Sequence, residues 1–148
     1  MRALLQRVTR AEVRVGERTV GSIGPGLLVL LGVGHGDEAA TADALAQRIC
    51  ELRIFEDDDG RTNRSVLDVG GEALVVSQFT LYADTRRGRR PGFTDAAPPE
   101  VAVRLWQRVA AGIAGRGVRT ALGEFGAEMA VELVNEGPFT IWLDTEDR

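Results

Sequence analysis

The stretch LLVLLGVGHGDEAATADALAQRICELR, residues 27–53, carries two hydrophobic patterns back to back. Leu27–Val33 is a continuous apolar run, the signature of a central strand buried on both faces. From Asp37 to about Arg53 the apolar residues thin out to a stripe of Leu45, Ile49 and Leu52, the pattern of an amphipathic helix. Asp37 or Thr41 is the expected N-cap, because its side-chain oxygen can accept a first-turn N–H. A buried strand that runs into such a helix calls for a sheet with a helix laid against it.

The flanking sequence fills in that plan. Strands are expected at about 2–9, 11–16 and 18–23, where Val13, Val15 and Val20 alternate with polar residues, before a Gly24-Pro25-Gly26 turn. After the helix come a polar loop, EDDDGRTN (56–63), a second buried strand at Ala73–Leu81, and a long loop over Asp84–Pro98. A second helix is expected from Pro99 to about Ala114. Val101, Leu105 and Val109 form its stripe, proline sits in its first turn and Gly115 follows its end. Strands at about 117–123, 128–134 and 139–144 close the chain, the last two meeting at a corner, Asn135-Glu136-Gly137-Pro138. Residues 1–148 thus read as one compact α+β domain of mostly antiparallel sheets with two main helices, without repeats or a linker.

Composition excludes several function classes. The 148 residues are 44% hydrophobic and 27% charged, with net charge −4 and a pI near 5.1. That is the balance of a globular protein, and an acidic one opposes broad backbone-driven nucleic-acid binding. No apolar run reaches the roughly 20 residues of a membrane span, and no signal-peptide core is visible, so a cytoplasmic protein is expected. All 18 basic residues are arginine, which removes lysine Schiff-base and phosphate-loop lysine chemistry. One cysteine and one histidine exclude an intrachain disulfide and two-histidine metal sites, so no metal is expected.

The candidate sites are few. Gly32-Val33-Gly34-His35-Gly36 has the setting of a dinucleotide fingerprint, but its third glycine would have to be at Asp37. Asp37 and Glu38 also put negative charge where a pyrophosphate would sit, so a plain turn is the better reading. His35 is the only histidine available as a general base, and in such a turn it reads as a solvated loop residue. Cys50, on the helical stripe, reads as a small buried apolar group. Val75-Val76-Ser77-Gln78-Phe79-Thr80-Leu81 is an apolar strand that ends in polar groups, but no base for Ser77 or Thr80 is near in sequence. Arg86, Arg87, Arg89 and Arg90 form a local basic patch that either meets phosphate or pairs with the chain's own carboxylates.

Three stretches together resemble one family: Ser77-Gln78-Phe79-Thr80-Leu81, Phe125-Gly126-Ala127-Glu128-Met129, and Leu133-Val134-Asn135-Glu136-Gly137-Pro138-Phe139-Thr140. They are similar to the D-aminoacyl-tRNA deacylases of the bacterial and eukaryotic type, and Gln6-Arg7-Val8 and Leu81-Tyr82-Ala83-Asp84-Thr85-Arg86 extend the likeness over essentially the whole chain. The resemblance implies hydrolysis of D-aminoacyl-tRNA, and by extension of glycyl-tRNA, by a cytoplasmic homodimer that needs no cofactor. It implies that the Gly137–Pro138 bond is cis and that this motif enters the partner subunit's active site. There the backbone carbonyls would hold the substrate's α-amino group and exclude an L side chain. Carried over residue by residue, Arg7 fixes that motif, Ser77, Gln78, Phe79 and Thr80 line the catalytic pocket, and Met129 is a pocket wall. For Thr80 the resemblance leaves two roles open: a nucleophile, or a bystander to backbone N–H groups and the terminal ribose 2′-hydroxyl. Arg86, Arg87, Arg89 and Arg90 are expected to contact tRNA. Glycine at 137 is expected to hold a conformation closed to other residues. Two positions depart from the family pattern: Glu136, expected to alter the corner's hydrogen bonds, and Phe139, expected to narrow the pocket.

Overall fold

The computed structural model describes residues 1–147. In chain order the elements are β1 (Arg2–Val15), β2 (Arg18–Ile23), β3 (Gly26–Gly32), α1 (Ala39–Glu51), β4 (Phe55–Glu56), β5 (Thr62–Arg64), β6 (Glu72–Ser77), a 3₁₀ turn (Phe79–Tyr82), α2 (Pro99–Gly115), β7 (Arg119–Leu122) and β8 (Ala130–Asp144). The main sheet runs β2-β1-β3-β6-β7, with β8 also paired to β1, and β4 and β5 form a separate small hairpin. β1 is antiparallel to β2, β3 and β8, while β3–β6 and β6–β7 are parallel.

The apolar runs in β3 and β6 follow from what covers the sheet. Strand side chains alternate between faces. Leu27, Val29, Leu31, Ala73 and Val75 join a core with Leu45, Ile49 and Cys50 of α1 and with Leu105, Val109 and Ile113 of α2. Leu28, Leu74 and Val76 face the other way, into a second cluster with Val8, Val13 and Ile23. Both faces are therefore dry at the centre, and no polar alternation is needed there. Cys50 is fully buried, which pushes its thiol pKa up.

Three expectations need correction. The strand expected to end near residue 9 and restart at 11 is one strand, because β8 and then β2 keep it paired along its length. The N-cap of α1 is Glu38 rather than Asp37 or Thr41; its N–H donates to Thr41 Oγ1 at 3.3 Å. Asp37 instead accepts the Gly34 N–H at 2.7 Å. Third, Asn135–Pro138 does not reverse the chain. β8 passes through it as one strand of 15 residues, and both halves pair with β1.

Candidate active site

Between the paired positions Val8↔Asn135 and Gln6↔Thr140, β1 contributes Arg7 alone and β8 contributes Glu136, Gly137, Pro138 and Phe139. The surplus residues form an enlarged bulge. Pro138 is tolerated there because its missing N–H falls outside the ladder. The Gly137–Pro138 bond is cis.

Arg7 fills the space opposite and is only 4% exposed. Its guanidinium donates to the carbonyls of Ile54 at 2.8 Å, Glu136 at 3.3 Å and Gly137 at 3.3 Å. It also pairs with Glu136 Oε1 at 3.3 Å and lies 4.7 Å from the centre of the Phe139 ring. Asn135 closes the neck of the bulge, its amide donating to Arg7 O at 2.9 Å and Phe139 O at 3.1 Å. The two departures at this motif are thus absorbed into the bulge. Glu136 partners Arg7, and within its own chain Phe139 packs on that guanidinium instead of lining the cavity described below.

Gly137 does not have the conformation expected of it. Its φ lies outside the left-handed region, and a Cβ built there meets nothing within 4 Å. The fold of one chain does not require glycine at this position.

A cavity of about 660 Å³ opens elsewhere, where β6 ends against the start of α2. Gln78 is tied to β3 by its N–H to the Leu31 carbonyl at 2.8 Å, and the chain then tightens into the 3₁₀ turn. Ser77, Gln78, Phe79 and Met129 line the cavity. Thr80 does not; it is exposed, and its hydroxyl accepts a bond from the Gln78 amide. Phe93, Ala97, Pro98, Ala102, Phe125 and Ala127 supply much of the remaining wall. Sequence reading missed Phe93, Ala96, Ala97 and Pro98 because these residues follow the arginine loop and carry no reactive group. Their only signal was a cluster of small and aromatic residues just before a helix.

No residue lining the cavity is acidic, basic, histidine or cysteine. Its polar groups are Ser77, Gln78 and main-chain amides, and the Phe79 N–H opens the 3₁₀ turn, where a helix has no internal acceptor for it. Such an arrangement can hold a developing oxyanion, but it cannot by itself deprotonate a nucleophile.

Neither Arg7 nor Gly137–Pro138 reaches this cavity in its own chain. The glycine turn 32–36 is not a phosphate cradle either, because the Tyr82 ring fills the place of a Gly34 side chain and the Asp37 carboxylate takes up the Gly34 N–H. In the basic loop, Arg86 is bound to Asp84 through two bonds of 2.8 Å. That guanidinium holds the Asp84 carboxyl well below the usual carboxylate range. Arg87, Arg89 and Arg90 are exposed and make no ion pair among the described residues.

A family model described as D-Tyr-tRNA(Tyr) deacylase matches residues 4–144. The chain belongs to the D-Tyr-tRNA(Tyr) deacylase family. It is 61% identical over 145 residues to the D-aminoacyl-tRNA deacylase of Roseiflexus sp. (strain RS-1), covering 98% of this chain and 94% of that one. The D-aminoacyl-tRNA deacylase of Ruegeria pomeroyi is 58% identical, with 97% and 99% covered. A solved structure titled c-Myc DNA unwinding element binding protein superposes with TM-score 0.91 at 39% identity, over 97% of this chain and 98% of that one. Another, titled as a probable eukaryotic D-amino acid tRNA deacylase, has TM-score 0.81 at 18% identity, over 96% and 97%, and speaks for the deacylase fold alone.

Proposed function

We propose that this deacylase-family chain hydrolyses the ester of D-aminoacyl-tRNA, and of mischarged glycyl-tRNA, as a cytoplasmic homodimer in which the Gly137–Pro138 bulge of one subunit completes the cavity of the other. The observation that carries the reading is Gly137, exposed and unhindered within its own chain. A position that has room for a side chain, yet lacks one, answers to something outside the chain. A partner's cavity with an aminoacyl ester in it supplies the reason. Backbone approaching the substrate α-carbon leaves no room for an L side chain, while a D side chain points away and glycine has none to exclude.

In the chemical step, water adds to the ester carbonyl. The negative charge that develops on its oxygen is met by the Phe79 N–H, which opens the 3₁₀ turn. The bond to the ribose 3′-oxygen then breaks, and the proton from water passes to that oxygen. No titratable group lines the cavity, which supports a role for the substrate's own ribose 2′-hydroxyl in activating the water. Thr80, outside the lining and bound to Gln78, is a bystander in this scheme.

The test is release of tyrosine from D-Tyr-tRNA and from L-Tyr-tRNA, with the protein's mass in solution measured alongside. Turnover of the D-substrate alone, by a dimer, supports the reading. Absence of D-Tyr-tRNA turnover with tRNA still bound makes the chain a binding module, and full activity of a monomer removes the shared-site arrangement.

A further inference from the structure

His35 has no part in the chemistry above. It lies in the turn that follows β3, and its N–H donates to the Asp95 carbonyl at 3.3 Å. Its ring Nε2 stands 2.8 Å from the Thr94 carbonyl oxygen. A carbonyl oxygen only accepts, so Nε2 carries the proton. On either side, Gly34 bridges to Ala96, and the Ala97 N–H donates to Val33 O at 2.9 Å. Residues 33–35 are thereby stitched to residues 94–97.

The stitched segment begins beside the cavity. Phe93 lines it and meets the Phe79 ring edge-on, with centroids 5.1 Å apart. Ala96 and Ala97 continue the same wall. Among the described residues, no side chain other than His35 hydrogen-bonds to residues 93–97. The other contacts of the stitch are main-chain bonds, which are the same for any residue type.

We propose that His35 is a positioning residue for the cavity wall: it holds residues 93–97 so that Phe93 stays against Phe79 when the substrate enters. It acts through Phe93 and does not touch the ester. Without it the segment gains freedom that binding must remove. That cost falls on the ground state and the transition state alike, so it appears in KM rather than kcat.

The proposal rests on the deacylase reading for its kinetic arm only. D-Tyr-tRNA deacylation is measured for the full-length protein, His35→Ala, His35→Gln, Phe93→Ala and the His35→Ala/Phe93→Ala double variant. Amide hydrogen exchange over residues 92–98 is followed without substrate. Loss of one exposed hydrogen bond should raise KM roughly two- to tenfold in His35→Ala, with kcat little changed. His35→Gln, whose amide N–H has similar reach, should recover most of the loss. In the Phe93→Ala background, His35→Ala should add nothing further. Exchange over 92–98 should be faster in His35→Ala than in the parent or in His35→Gln. An unchanged KM, a fall in kcat at constant KM, or additive effects of the two alanines overturns the proposal. Should the parent protein itself fail to hydrolyse the substrate, the deacylase reading falls. Exchange then decides alone, and unchanged exchange in His35→Ala defeats the positioning role.

Discussion

Around the cavity the walls are Phe93, Ala97, Pro98, Ala102 and Phe125, which turn apolar side chains to the space they enclose. Around the bulge at Glu136–Phe139 the arrangement is reversed: one buried guanidinium grips two carbonyls of the bulge, a carboxylate and an aromatic ring. Apolar walls define a volume and tolerate small shifts. A web of directional bonds fixes the aim of a few backbone atoms. Under the function proposed above, this difference would be a division of labour, in which the cavity accommodates a substrate and the bulge discriminates between its two hands. A chiral filter needs the more rigid of the two constructions, because an error of an ångström removes the distinction.

The largest effect that can test this contrast is on Arg7. Arg7→Ala should leave the Ile54, Glu136 and Gly137 carbonyls without their donor and open a space beneath Phe139. Destabilisation by about 3–5 kcal/mol in urea melts, with discrimination lost before hydrolysis, is expected from removal of a buried, multiply bonded charge. A loss below about 1 kcal/mol would mean that the bulge keeps its shape without the clamp.

Gly137→Ala sharpens the comparison from the other side. With φ outside the left-handed region and open space for a Cβ, the variant should fold as well as the parent, or gain about 0.4–1 kcal/mol. Hydrolysis of D-Tyr-tRNA should nonetheless fall by about 100-fold or lose its preference for the D-substrate, since the misplacement is at the reacting centre. Thr80→Ala, at a site outside the cavity lining, should keep substantial activity. Loss of several orders of magnitude in Thr80→Ala with the fold intact would reinstate a covalent mechanism, whereas full D/L discrimination by Gly137→Ala would remove the filter from the bulge.

The smallest effect is expected where neither region is touched. Arg89→Ser/Arg90→Ser should weaken all tRNA substrates alike, raise KM, and lower the salt dependence by about 1 per lost phosphate contact. Discrimination between D and L should not move. Arg86 is left out because Asp84 already occupies it. A lowered melting temperature with unchanged salt dependence would assign Arg89 and Arg90 to the fold rather than to tRNA.

Much of this was legible in the residues themselves. Period and length separate the buried strand Leu27–Val33 and the first part of Ala73–Leu81 from the striped helices, because side-chain alternation and helical repeat are local properties of the backbone. That second strand, however, stops at Ser77, and Phe79–Tyr82 turn into a 3₁₀ helix. The motifs around Ser77–Thr80 and Asn135–Thr140 pointed to the family for a similar reason, as short contiguous patterns. The absence of lysine and of a second histidine narrows the chemistry from composition alone. What the residues could not declare is set by partners far apart in the chain. Asn135–Pro138 has the composition of a turn, and only pairing of both its flanks with β1 makes it a bulge in a continuing strand. Arg7 and Phe139 stand 132 positions apart, and their stacking exists only because β1 and β8 are neighbours. Phe93 and His35 carry no pattern of their own, and they gain a role only when the loop after Arg90 folds back over the end of β3. Local sequence settles which elements form, since their energies are summed over neighbouring residues. Which atoms share a site is settled by long-range packing, whose energy appears only after the sheet has assembled.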